Sequence, residues 1–406
     1  MRGGRAAAAV LAAVFTLNLL GRGAGETYAV FLLPLEREFG WARSQLTSVY
    51  SAYLIVGGFM APLVGLVFDR LGPRIVYSAG LLCLSAAFFL ASTLGDLWQF
   101  YVFIGGMIGV GVGLLGMVPA SALLIRWYRA KIATAIGIAF AAGGMGGLLF
   151  VPSVQALLET FHWRTVYHVL GMVMLCAAPL AAIAVPWEKF VAGDPELRIE
   201  HKAHAAAEGW TLRAAMGTRL YWALVQVFFF TSIAMFTVLV QAVVYFIDIG
   251  FTPIVAATAY GLTGMFSVVS VSGSGFASDR FGYRNTVSAS FAGTATGVLL
   301  LLALSYAPSA ALLVAFVIVF GLCMGVRGPI VSSIATRNFA GPRVATIYGT
   351  IYAMNAIGAA IGSLIGGVLH DLTGGYRACF VFSLCAISLA VAPFWTVRAM
   401  REDRAA

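Results

Sequence analysis

A chain folds only into structures that bury its apolar surface, and this chain of 406 residues carries that surface as a dozen long runs separated by short polar stretches. Each run is close to the roughly 20 residues a helix needs to cross a bilayer. The runs read as spans over residues 6–35, 44–68, 75–94, 99–125, 132–158, 165–187, 218–247, 255–278, 285–306, 309–335, 344–369 and 376–397. With 61% apolar and 10% charged residues, the composition lies far from that of water-soluble domains. The runs are uniformly apolar and rich in Gly, whereas the strands of a membrane β-barrel alternate apolar and polar positions. The expected fold class is an all-α membrane protein with twelve transmembrane helices embedded in the lipid bilayer.

The polar residues between the runs carry the topology. Arg2 and Arg5, an Ala-rich stretch and Gly23-Ala24-Gly25 resemble a cleaved leader, but the apolar run continues through Phe31-Leu32-Leu33 to Pro34 and reads as an uncleaved first span. The net charge of +9 reflects orientation and not nucleic-acid binding. Nineteen Lys and Arg fall in the termini, the central linker and the loops on their side, against Arg37, Arg43, Arg164 and Arg377 on the other. That asymmetry predicts both termini in the cytoplasm and residence in the cytoplasmic (inner) membrane. The long polar stretch from Trp187 to Thr218 separates six spans from six. It gives an expected organisation of an N-terminal six-helix bundle (1–187), a cytoplasmic linker (188–217) and a C-terminal six-helix bundle (218–406). The five cysteines sit inside apolar runs without a CxxC pair, as packing residues. His201-Lys202-Ala203-His204 has a metal-like spacing but lies in the charged linker with no Cys partner, so no metal or other cofactor is expected.

The two halves repeat each other. GLVFDRLGPR at 65–74 and GFASDRFGYR at 275–284 both read GxxxDRxGxR, offset by 210 residues. Arg126 is echoed by Arg337, and Trp163-Arg164 by Tyr376-Arg377. A duplicated six-helix unit is the construction of alternating-access transporters. Over essentially its whole length the chain resembles the major facilitator superfamily. The resemblance implies two pseudo-symmetric bundles and a conformational latch built from Gly65, Asp69, Arg70, Arg74, Gly275, Asp279, Arg280 and Arg284. Phe31-Leu32-Leu33-Pro34-Leu35 with Phe39-Gly40-Trp41-Ala42-Arg43-Ser44, and Arg126-Trp127-Tyr128 leading to a Gly-rich fifth span, are similar to the monocarboxylate and oxalate/formate transporter group. One position departs: where that group carries a substrate-binding Arg in the eighth span, this chain has Val271.

A charge inside the hydrocarbon core costs at least about 2.5–3.5 kcal/mol, and is kept only where it faces a cavity or a partner. Three charges read as deep: Arg22, Glu26 and Arg327. Asn18, Arg22 and Glu26 are spaced by four on one face of the first span, and Arg327 stands between Gly325 and Gly328 in the tenth. In the family fold the first and tenth spans line a central cavity, and a net +1 there favours a monoanion. With Val271 at the usual place, Arg327 becomes the expected carboxylate clamp, and Glu26 the candidate proton carrier, its charge balanced against Arg22. The competing reading is that Arg22 and Glu26 form a structural pair. Gln241, Tyr245 and Asp248, and Tyr348, Tyr352 and Asn355, form further polar faces that either line the cavity or join helices, whereas the stripe Thr263, Ser267, Ser270 and Ser274 reads as helix glue.

No nucleophile, metal cluster or cofactor motif argues for an enzyme. The expected function is secondary active transport of a small, monocarboxylate-like organic anion, with a proton as candidate symported ion and the monomer as functional unit. An aromatic or heterocyclic solute such as a vitamin, export in place of uptake, and a non-transporting membrane sensor are the alternatives.

Overall fold

The computed structural model of the chain describes residues 2–124, 126–128, 132–193, 210–339 and 344–401, and for residues 2–4, 61, 62, 69, 132–134, 275, 279, 336, 344–346, 399 and 401 the backbone alone. The described residues are helical throughout their apolar runs, and eleven helical segments among them are long and apolar enough to cross a membrane. The protein is an all-α membrane protein. The second and third spans run within Arg43–Ala91, separated at Gly72, whose φ of 78° and ψ of 169° lie in a region only glycine occupies without strain. Its counterpart 210 residues on, Gly282, separates the eighth span (Pro253–Phe281) from the ninth (Tyr283–Leu304) with φ 79° and ψ 156°. The repeated motif thus encodes a repeated backbone turn.

Four spans that read as continuous apolar runs are interrupted, in paired positions of the two halves: at Gly116 the backbone is extended, whereas at the other three the joining residues keep right-handed helical dihedrals. The first consists of Arg2–Glu26 and Tyr28–Phe39, joined at Thr27, whose hydroxyl donates to Ala24 O (2.7 Å). The seventh consists of Arg219–Leu239 and Ala242–Asp248, joined at Val240-Gln241. The fourth passes through Leu97–Phe100, a π-helical stretch Tyr101–Ile108 and Gly109–Leu115, then breaks at Gly116 before Met117–Leu124. The tenth consists of Ala310–Met324 and Arg327–Asn338, joined at Gly325-Val326. Hydropathy cannot register these breaks, because a broken helix keeps its apolar composition.

The remaining spans are Ile132–Thr160 (fifth), Trp163–Ala184 (sixth), Val344–Thr373 (eleventh) and Arg377–Val391, continued by Pro393–Thr396 (twelfth). By internal contacts the chain divides into two compact units, Met1–Trp41 with Val49–His204, and Ala42–Ser48 with Ala205–Ala406. Within the first unit, the first span packs on the fifth, where a Cβ on Gly146 would lie 2.7 Å from Leu19 O and 2.9 Å from Gly23 N. Within the second, the seventh packs on the eleventh, with Gly358, Gly362 and Gly366 set against the backbone of Phe229, Ile233 and Thr237. Small residues permit this approach where lipid supplies no hydrophobic drive between helices.

Part of the stretch expected to be a linker folds onto the first unit. Trp187–Ala192 is a short helix whose Trp187 ring stacks on Tyr77 (5.3 Å) and donates to Ala181 O, while Trp127 Nε1 donates to Phe190 O (2.8 Å). Its apolar Trp187, Phe190 and Val191 were masked in the sequence by the charges that follow. His201, Lys202 and His204 lie outside the described residues.

Candidate functional site

In the first unit, the charged face of the first span lies beside the Thr27 break. Arg22 Nη2 stands 3.7 Å from Glu26 Oε1, with the arginine side chain 47% and the glutamate 20% exposed. Two glycines of the fifth span make room for them: a Cβ on Gly143 would meet Arg22 Nε at 3.5 Å, and one on Gly147 would meet Glu26 Cγ at 3.9 Å. Asn18, on the same face, is buried and its amide donates to Val14 O of its own helix (3.1 Å).

Three tyrosines that the sequence reading passed over adjoin this face. Tyr28, Tyr50 and Tyr53 stand in a row, with ring centroids 4.9 and 5.1 Å apart, and the Tyr53 hydroxyl rests directly on Gly25. With Thr27 and Tyr167 they surround a cavity of about 10 Å³. The spacing Tyr50-x-x-Tyr53 places two phenols on one helical face and was the available signal.

In the second unit, Arg327 opens the second half of the broken tenth span and is only 2% exposed. Its Nη2 lies 3.0 Å from Thr294 Oγ1, 3.2 Å from Met324 O and 3.4 Å from Cys323 O, and the guanidinium carbon stands 4.7 Å over the Phe291 ring. The two carbonyls end the preceding half-helix, where they have no intrahelical donor, so the arginine caps the break and places its charge at the negative end of that helix dipole. Among the described residues its Nε and Nη1 have no hydrogen-bond partner. Gln241, at the break of the seventh span, is likewise buried with both amide atoms unpartnered among the described residues.

The other expected polar residues separate into distinct settings. Tyr245 is closed off, its hydroxyl donating to Leu301 O (2.6 Å). Asn355 Oδ1 accepts from Ser232 (2.8 Å), joining the eleventh span to the seventh. Tyr352 is 46% exposed, and its ring meets Phe228 edge-on at 5.8 Å, with Tyr348 6.1 Å away. Among the described residues, the stripe expected to glue helices donates within its own helix: Thr263, Ser267, Ser270 and Ser274 each donate to a carbonyl three or four residues earlier. Satisfied internally, that face admits Gly321 and Gly325 of the tenth span.

Around the repeated motif, Arg70, Arg74 and Arg280 are exposed, Arg284 stacks 3.7 Å over the Trp395 ring, and Gly65 faces Val118 with room for a methyl group. The side chains of Asp69 and Asp279, and the surroundings of Gly275, lie outside the described residues.

At the opposite ends of the spans the repeat extends to a carboxylate. Glu38 accepts from Trp163 Nε1 and pairs with Arg164 Nη1 at 2.5 Å. Asp248, 210 residues on, accepts from the Tyr376 hydroxyl (2.7 Å), which in turn accepts from Arg43 Nη1 (2.7 Å). Ser44 N donates to Asp371 Oδ2 (2.8 Å) and Ser363 to Thr47 O (3.0 Å), so the short segment Ala42–Ser48 is held within the second unit. Burial, reinforced by Asp248, raises the Tyr376 phenol well above the usual tyrosine value despite the pull of Arg43. The sequence echo of Trp163 and Tyr376 was visible, but not their carboxylate partners, which lie more than a hundred residues away in the chain.

The family described as Major Facilitator Superfamily matches residues 11–276 and 274–406. Among individual proteins, the chain is 25% identical over 404 residues to monocarboxylate transporter 12 of Mus musculus, covering 94% of this chain and 82% of the relative. It is 25% identical over 376 residues to monocarboxylate transporter 13 of Rattus norvegicus, covering 92% and 84%. To the uncharacterized MFS-type transporter YcxA of Bacillus subtilis it is 23% identical over 391 residues, covering 93% and 92%.

Proposed function

Because the chain belongs to the major facilitator superfamily, a family of membrane transport proteins and not enzymes, we propose that this secondary transporter moves a small monocarboxylate-like organic anion by alternating access. The observation that carries the reading is that its deep charges flank helix breaks. Arg22 and Glu26 precede the break at Thr27, and Arg327 follows the break at Gly325-Val326. In membranes, discontinuous helices are kept where their freed backbone groups and neighbouring charges serve a solute. In the second unit the buried Arg327 carries a formal charge of +1, which favours an anion over a neutral solute or a dication. The names of the mammalian relatives agree with that sign.

In this reading Arg22 is the accessible cation, and Arg327 is the clamp that binds the carboxylate when its side chain turns from the half-helix carbonyls. Its unpartnered Nε and Nη1 leave donor capacity for that exchange. Glu26 is the proton carrier: it stands 3.7 Å from Arg22, so a bound anion competes with it for that guanidinium and substrate and proton arrive together. Asn18, Gln241, Tyr245, Tyr348, Tyr352 and Asn355 support the polar surroundings, and the repeated motif acts as the latch. The orientation has both termini cytoplasmic in the inner membrane, with the monomer as the working unit. The exposed Tyr352 beside Phe228 favours, as a second reading, an aromatic acid as the preferred anion.

The test is a thermal-shift screen of purified protein against aliphatic and aromatic monocarboxylates, followed by liposome uptake of the hits with and without a pH gradient. Stabilisation by acids but not by their amides, with uptake driven by an inward proton gradient, is expected. Equal response to acids and amides would refute the anion reading, and uptake indifferent to the gradient would refute the proton reading.

A further inference from the structure

Five hydroxyl-bearing residues are among those that line the cavity beside the Thr27 break. They are Thr27, Tyr28, Tyr50, Tyr53 and Tyr167, beside Ala24, Gly25, Phe88, Ile104 and Ile108. Its volume of about 10 Å³ is that of one water-sized probe, near the threshold for holding a water, and a buried water needs two to four polar partners. The chain makes this space deliberately tight: the Tyr53 oxygen rests where a side chain on residue 25 would stand, so only Gly at that position lets the phenol reach the first span. Tyr53 also lies within electrostatic reach of both Arg22 and Glu26. From Tyr53 the row of rings leads through Tyr50 to Tyr28, which begins the half-helix beyond the break.

We propose that this cavity is a binding site for a single structural water, and that the water with the phenols of Tyr53, Tyr50 and Tyr28 forms a proton relay between Glu26 and the far half of the first span. A phenol and a water each donate one hydrogen bond while accepting another. A proton leaving the Glu26 carboxyl is therefore accepted at one oxygen of the row as another is released at its far end. No bond other than O–H forms or breaks, and no further reactant is needed. The relay rests on the proton-coupled reading above; the water site does not.

Two measurements separate them. Hydroxyl-radical footprinting in ¹⁸O-water labels side chains that touch bound water, with Tyr77 of the same unit, fully buried and outside the cavity, as the dry reference. Tyr50 and Tyr53, each 5% exposed, are expected to label several-fold faster than Tyr77, and Gly25→Ala, which displaces the Tyr53 hydroxyl, to abolish the excess. Labelling of Tyr50 and Tyr53 at the Tyr77 rate in the wild type would overturn the water site. For the relay, Tyr53→Phe is compared in two modes. Net uptake driven by a proton gradient is expected to fall at least about tenfold, toward the 10²–10⁴ of a lost proton-transfer group. Substrate counterflow without net proton movement stays at the wild-type rate. Equal loss in both modes, or loss in neither, would overturn the relay. If wild-type uptake ignores the gradient altogether, the proton reading fails with it, while the footprinting result still decides the water site.

Discussion

Replacing Gly146 by Ala perturbs the seam that carries the charged face of the first span. The added Cβ would stand 2.7 Å from Leu19 O, 2.9 Å from Gly23 N and 3.1 Å from Gly23 Cα, all backbone atoms that no side-chain rotation can clear. Restoring ordinary contact requires the first and fifth spans to part by about 0.7 Å, and overpacking of this kind costs about 1–3 kcal/mol. Alanine also gains about 0.5–1 kcal/mol over glycine in a helix, which would blur the comparison with wild type. Gly137→Ala removes that ambiguity, because Gly137 lies in the same helix and a Cβ there meets nothing within 4 Å. The two variants share the propensity gain, so their difference isolates the seam. Thermal unfolding of the purified proteins should separate them by about 1–3 kcal/mol, at roughly 2–4 °C per kcal/mol for a unit of this size. Liposome uptake should fall in Gly146→Ala, as Arg22 and Glu26 shift with their helix, and persist in Gly137→Ala. Coincident melting curves with equal uptake would refute the reasoning from close approach.

Arg327→Met should cost about 1–3 kcal/mol, since an apolar side chain of similar length fills the site without a buried charge but leaves Met324 O without its donor, whereas Arg327→Ala adds a cavity costing about 2–5 kcal/mol. Both should abolish uptake, and transport by the methionine variant would contradict the clamp. Arg43→Gln removes a charge-assisted bond to Tyr376 worth about 1.5–3 kcal/mol, so amides of residues 42–48 should exchange with deuterium at least about tenfold faster; unchanged exchange would show that the segment is held otherwise. Because the folded-state value of Tyr376 is raised, the stability it contributes is whole below about pH 10 and is lost as pH rises through the raised value. Tyr376→Phe should therefore lessen the fall in melting temperature above about pH 10 without altering its course between about pH 6 and 9. Gly72→Ala and Gly282→Ala force a side chain into backbone with φ of 78° and 79° and should each cost about 1–3 kcal/mol, measured against Gly328→Ala, where a Cβ meets nothing within 4 Å.

The fold class was legible because the constraint that sets it, apolar length against bilayer thickness, is written in composition alone. The repeat was legible because Gly72 and Gly282 must be glycine for a backbone reason, and the motif around them survives in register. What composition could not reveal were the broken spans. A helix that stops at Thr27 or at Gly325-Val326 and resumes at once presents the same apolar run as one that does not. Arg327 was found as an anomalous charge, but its present partners, two carbonyls and the Thr294 hydroxyl, carry no sequence signature. The stripe from Thr263 to Ser274 was misjudged for a related reason. A hydroxyl in a helix can return to its own backbone, and periodicity cannot distinguish that bond from one to a neighbouring helix. Tyr28, Tyr50 and Tyr53 escaped notice because aromatic residues in an apolar run read as packing until the chain folds them around one cavity.

The most direct test of the anion reading is counterflow into liposomes of radiolabelled lactate, pyruvate and benzoate, each challenged by its uncharged amide, for wild type, Arg22→Gln and Arg327→Gln. Saturable counterflow of at least one acid, untouched by its amide and lost in both variants, is the predicted result. Competition by the amide equal to that by the acid, or wild-type counterflow in Arg327→Gln, would contradict a carrier whose buried positive charge selects a carboxylate.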